Sequence, residues 1–172
     1  MIKVALAPVL FLAATLADAG TINGRVIQVL DGATITVLAA QGASLHRVRI
    51  AGIHVPDKDQ RDTSRASLRR IAGGKTVRVE TNAIDAKGML VGVVHIVRAE
   101  VDCPPDSCVP VLDPGLSQLV QGLAIIDKTN LGLQTSGAQE RYVTAEAHAR
   151  KLRLGFWRDS EFPVRAARVA RQ

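Results

Sequence analysis

The sequence predicts an α+β domain built on a small five-stranded barrel. Three observations carry that reading. Short β-branched segments recur from Gly24 to Val97, one amphipathic helical stretch interrupts them after the third, and two further helical stretches close the chain.

Gly24 to Leu38 (GRVIQVLDGATITVL) alternates β-branched residues around Asp31-Gly32, the pattern of two strands joined by a turn. Gln41-Gly42-Ala43 is a second turn, and Leu45 to Ile53 the third strand. Thr63 to Ile71 places Ala66, Leu68 and Ile71 inward with Arg65, Arg69 and Arg70 outside, a short helix that Gly73-Gly74 ends. Thr76 to Glu80 and Leu90 to Val97 are strands around the turn Asp85-Ala86-Lys87-Gly88. Pro110 to Pro114 reads as irregular. Leu116 to Ile125 carries Leu116, Leu119, Val120 and Leu123 on one helical face. Gln139 to Leu152 is the last helix, packing through Tyr142, Val143, Ala145, Ala149 and Leu152. Gly155 caps it and Phe156-Trp157 anchors the end.

Composition agrees with a folded chain of 172 residues, 47% hydrophobic and 22% charged. That apolar content excludes a disordered or low-complexity protein. Lys and Arg number 22 against 16 Asp and Glu, a formal charge of +6, which makes a polyanion an expected partner.

Met1 to Gly20 has the form of an export signal: Lys3, an apolar run from Val4 to Leu16, then Ala17-Asp18-Ala19 at the position signal peptidase reads. The run is shorter than the roughly 20 residues a spanning helix needs. A buried helix or an interfacial anchor is the other reading of it. The expected organisation is therefore a signal peptide at 1–19, one domain at 20–163 and a basic tail at 164–172, exported to the periplasm or beyond with no spanning segment left. In an oxidising compartment Cys103 and Cys108 are expected to form a short disulfide; half of a zinc site is the alternative.

The order of certain phrases resembles the thermonuclease (staphylococcal nuclease-like) family. They are Val29-Leu30-Asp31-Gly32-x-Thr34, Val48-Arg49-Ile50-x-Gly52-Ile53-x-x-Pro56, Gly74-Lys75-x-Val77-x-Val79, Asp85-x-x-Gly88, Leu119-Val120-x-Gly122-Leu123-Ala124, Ala145-Glu146-x-x-Ala149-Arg150 and Gly155-x-Trp157. The resemblance implies a five-stranded OB-type barrel with three helices and, in active members, calcium-dependent hydrolysis of DNA and RNA. That chemistry needs an ion held by carboxylates, a carboxylate to activate water, and arginines against the phosphate.

Carried over position by position, the resemblance puts the first calcium Asp on Ala33 and the second on His54. The general-base Glu falls on Asp57, one methylene shorter. The first phosphate Arg is kept as Arg49, and the second falls on Met89. The substrate-facing tyrosines fall on Lys87 and near Lys128 and Asn130, none of which offers a ring for a base to stack on. Arg49 and Asp57 are thus the surviving catalytic candidates, and Ala33, His54 and Met89 the degenerate positions.

Three functions follow as expectations. The first is an exported binding or structural module with calcium and its chemistry lost and no cofactor, holding nucleic acid or an acidic polysaccharide; relatives of this fold associated with exopolysaccharide production add an accessory role there. The second is a phosphodiesterase with a reworked site, Asp31, His54 and Asp57 holding a transition metal such as Mn²⁺ or Zn²⁺. The third is residual calcium nuclease activity through a weak site.

Overall fold

The computed structural model describes residues 20–56, 60–86, 88–97 and 111–158. The proposed signal peptide, Asp57, Lys87, Cys103, Cys108 and the basic tail lie outside the described residues.

Strands β1 (Thr21–Val29), β2 (Thr34–Ala39) and β3 (Leu45–Ile50) form an antiparallel meander. A two-residue strand β4 (Ile53–His54) and helix α1 (Arg61–Ala72) follow, then β5 (Thr76–Ile84) and β6 (Leu90–Val97). The ladder runs β3-β2-β1-β5-β6, and a parallel pairing of Val48–Ile50 with Leu90–Gly92 joins its two ends. This closes the five-stranded barrel that the sequence predicted, and closure removes the open edges through which sheets aggregate. A short strand β7 (Val111–Leu112) lies against β6, then come α2 (Pro114–Val120), β8 (Ile125–Ile126) paired with β4, and α3 (Ser136–Lys151).

Alternation explains the core. Val26, Ile35, Val37, Val48, Ile50, Val77, Val79 and Val94 point inward and are almost wholly buried, and Leu68, Leu119 and Tyr142 plug the barrel from the helices. Each such aliphatic side chain contributes about 1.5–3 kcal/mol on burial.

Several element readings are corrected. The third strand breaks after Ile50 because Gly52 takes φ +80°, and its carbonyl accepts from Asp127 N–H at 3.0 Å. The strand after α1 runs on to Ile84, and α1 itself spans two more residues at its start and one more at its end. In α1 the buried small residues are Ser64, Ser67 and Ala72, whereas Ala66 is exposed. The stretch read as irregular holds β7 and the start of α2, with Asp113 as N-cap accepting from Leu116 N–H at 2.9 Å.

The helix expected over Leu116–Ile125 stops at Val120. Gly122 turns to φ +67°, and a Cβ there would lie 2.3 Å from the Leu154 carbonyl oxygen, so the chain must leave the helix to let these backbones meet. Val120, Val143 and Leu152, expected in the core, are exposed. Gly155 does not cap α3, whose C-cap is Leu152; its φ of +51° instead brings it against Gly122, and Phe156 N–H donates to the Gly122 carbonyl at 2.8 Å. Phe156 and Trp157 are buried as expected.

Candidate nucleic-acid interface

The loop Asp31-Gly32-Ala33 links β1 to β2 and is held from several sides. Asp31 turns back on it, Oδ1 accepting from Ala33 N–H at 2.7 Å. The Ala33 carbonyl accepts from Ile50 N–H at 2.8 Å, and the Ala33 methyl is 5% exposed within the barrel core. Gln118, fully buried on α2, donates through Nε2 to the Gly32 carbonyl at 3.0 Å and the Ser64 carbonyl at 2.9 Å. Gly32 is obligatory there, since a Cβ would collide with Ser64 Oγ on α1. Sequence reasoning missed Gln118: its amide sits inside a helical pattern that only the aliphatic residues announce.

Arg49 is the penultimate residue of β3, opposite Thr34 in β2 and Val91 in β6. Its guanidinium lies 3.3 Å from the Asp85 carboxylate. Asp85 also accepts from Met89 N–H through Oδ1 at 2.9 Å, so one carboxylate both pins the β5–β6 turn and holds the arginine. Met89 is half-buried in that turn.

His54 stands on β4, paired with Ile125 of β8. The residue is exposed, yet the atoms packed around it partly desolvate its ring. This desolvation is the largest influence on it and holds its pKa below the ordinary histidine value, while Asp127 and Glu146 pull upward and Arg49 adds to the depression. Desolvation pushes the Asp127 carboxyl upward, but hydrogen bonds from Thr129 and Asn130, with His54 nearby, carry it below its ordinary value. Glu146 on α3 accepts from Ile126 N–H at 2.9 Å and from Arg150 at 2.8 Å, and Arg150 stacks 4.2 Å over the Trp157 ring. These contacts give the Ala145-Glu146-x-x-Ala149-Arg150 and Gly155-x-Trp157 phrases a structural role: they bolt α3 and the Gly155–Trp157 segment to β8. Asp127 carried no sequence signal.

Among the positions expected to face substrate, Lys128 is exposed, and Asn130 donates Nδ2 to Asp127 Oδ2 at 2.7 Å, which makes it a turn cap. The candidate metal set Asp31, His54 and Asp57 is described in two members only, Asp57 lying outside the described residues. Among the described residues no group of three His, Cys, Asp or Glu side chains stands close enough to hold an ion. Calcium takes six to eight oxygen ligands. At the two carried-over calcium positions, Ala33 brings a methyl and His54 a nitrogen, while Asp31 accepts from its own loop through one carboxylate oxygen. Neither of those two positions offers the oxygen that calcium takes.

No protein-family model matches the chain. A micrococcal nuclease from Shigella flexneri is 31% identical over 146 residues, covering 80% of this chain and 74% of that protein. The chain belongs to the staphylococcal nuclease-like family. An uncharacterized endonuclease from Escherichia coli O157:H7 is 39% identical to this staphylococcal nuclease-like chain over 77 residues, 43% of it and 48% of the relative. The chain thus spans about half the length of that relative.

Proposed function

We propose that this staphylococcal nuclease-like protein is an exported nucleic-acid-binding module that does not run the family's calcium-dependent hydrolysis. The observation that carries the reading is the Asp31–Ala33 turn. Where the resemblance calls for a calcium carboxylate, the side chain is a methyl buried in the core, and the neighbouring Asp31 turns one carboxylate oxygen back onto its own loop. Removing one preorganised charge-stabilising group costs roughly 100- to 1000-fold in rate, and parts that act as a unit fail together. Retention of Arg49, the net charge of +6 and the nuclease and endonuclease names of the relatives support nucleic acid as the ligand.

Calorimetric titration of the purified chain with calcium tests the lost ion, and titration with a single-stranded oligonucleotide in EDTA tests the retained ligand. The reading expects no calcium binding at millimolar ion and metal-independent, salt-sensitive DNA binding. Tight calcium binding, or DNA binding that needs the ion, contradicts it. The neutral imidazole that His54 presents near neutral pH favours a second reading, a transition-metal phosphodiesterase, which zinc and manganese arms of the same titration address.

A further inference from the structure

Helix α1 runs beside β1 in the opposite direction. At one end Arg65 Nε donates to the Val29 carbonyl at 3.0 Å; at the other, Gly74 N–H donates to the Val26 carbonyl at 3.0 Å and Arg25 Nε donates to the Gly74 carbonyl at 2.9 Å. Arg61, Arg65 and Arg69 recur every fourth residue along the flank of α1, and all are exposed, as are Arg25 and Lys75 where the seam ends. At 1.5 Å rise per residue the three helical arginines stand about 6 Å apart in a row of about 12 Å. Asp62 is the one carboxylate on α1, and among the described residues none of these cations makes an ion pair.

We propose that this seam is a docking track for the phosphate backbone of nucleic acid, separate from the Arg49 position. The assignment rests on the nucleic-acid-binding reading above and says where that binding occurs. Two features distinguish the seam from scattered surface charge. Arg65 and Arg25 each spend Nε on a backbone carbonyl, which fixes the stem while leaving the outer nitrogens of the fork for a phosphate, a group that guanidinium meets bidentately. The row is also continuous: a strand with one phosphate per 3.4 Å of duplex axis presents roughly three to four phosphates along about 12 Å. Its arginine end abuts the Asp31–Ala33 loop, because Ser64, one residue before Arg65, packs against Gly32. A strand laid on the seam would run away from the barrel mouth toward Lys75. Interactions of this kind position a polyanion without reading its sequence.

The test is fluorescence anisotropy of a labelled single-stranded oligonucleotide with the full chain between 50 and 200 mM salt. The variants are R61Q/R69Q on the seam and R141Q/K151Q on α3, which removes the same charge elsewhere. Among the described residues neither Arg61 nor Arg69 makes a side-chain hydrogen bond that the fold depends on, and the single variants R61Q and R69Q repeat the test should the double melt early. The track predicts that R61Q/R69Q binds at least tenfold more weakly at 50 mM salt. Its slope of log K against log salt should fall by about 1.4, since each single-strand phosphate left without its cation lowers the slope by about 0.7. R141Q/K151Q should stay within about twofold of the parent. Equal losses in the two doubles, or an unchanged slope in R61Q/R69Q, overturn the seam while DNA binding by the parent stands. No DNA binding by the parent at any salt overturns the functional reading itself. A heparin arm in which the seam variants lose heparin but keep DNA assigns the track to an acidic glycan, and overturns it for nucleic acid.

Discussion

Arg49 is held 3.3 Å from Asp85, and the same carboxylate accepts the Met89 amide at 2.9 Å. The arginine that the resemblance sets at a phosphate position is therefore tied to the turn in which the same resemblance sets Met89 at the second. Removing either partner has unequal consequences. Asp85→Ala strips the turn of its amide acceptor and leaves a part-buried guanidinium without its carboxylate, a loss of about 1–3 kcal/mol. Arg49→Gln leaves the turn bond in place and removes only a part-exposed ion pair, worth about 0–1 kcal/mol. Urea unfolding should rank Asp85→Ala clearly below Arg49→Gln, and equal midpoints would remove Asp85 from this double role.

Tyr142 is the chain's one tyrosine and is almost fully buried. Its hydroxyl donates to Asp113 Oδ1 at 2.9 Å and accepts from Gln134 Nε2 at 3.0 Å. Desolvation first, and the Asp113 charge second, push its ionisation far above the ordinary tyrosine range. With the folded pKa above the unfolded one, the stabilisation is complete below about pH 10 and is lost as pH rises beyond it. Phenolate absorbance should appear only together with loss of the near-ultraviolet circular dichroism of the folded state. A phenolate that titrates near pH 10 in the folded protein would contradict the buried hydrogen-bonded hydroxyl.

His54 and Asp127 set the acid side of the stability curve. The lowered pKa of His54 means that the unfolded chain binds its proton first as pH falls. Stability is then whole above the ordinary histidine value of about 6.5 and declines below it, until the folded ring is also protonated. The lowered pKa of Asp127 adds a second decline below about pH 4, complete when its folded carboxyl is protonated. His54→Asn should flatten the first decline and reduce the second only slightly, since His54 is the smallest of the influences that lower Asp127. Thermal melts between about pH 2 and 8 check this, and an unchanged slope above about pH 4 in the variant would place the first decline elsewhere.

Restoring the family's chemistry at three positions tests the carry-over residue by residue. Ala33→Asp, His54→Asp and Met89→Arg together should raise calcium affinity, and added calcium should raise the melting temperature of the triple variant but not of the parent. Because the Ala33 methyl is buried in the core, the triple variant should be less stable than the parent without the ion. A triple variant that binds calcium no better than the parent would show that these positions do not form one site.

Much of the barrel was legible because strand alternation reports directly on a half-buried sheet: the strands read from it contain Val77 and Val79, Val48 and Ile50, and Ile35 and Val37, and all six are buried. The errors fall where long-range packing overrides local pattern. Val120 and Leu123 lie at helical spacing, yet the close approach of the Gly122 and Leu154 backbones ends the helix between them. Val143 on α3 and Leu152 at its C-cap are apolar but exposed, while Tyr142 and the small Ala138, Ala145 and Ala149 do the packing. At the site, the assignment of Ala33, His54 and Met89 to the family's chemical positions comes from the resemblance alone. The groups that hold the site together were not: Gln118, the Asp85–Arg49 pair and Asp127 act across 86, 36 and 73 positions of sequence respectively from Gly32, Arg49 and His54, distances that no local pattern encodes.

The most direct test of the central claim is hydrolysis of heat-denatured DNA by the purified chain, with calcium, manganese, zinc and EDTA side by side and binding measured on the same samples. The account predicts that DNA is bound in EDTA and stays intact with calcium. Calcium-stimulated cleavage that EDTA abolishes would contradict it.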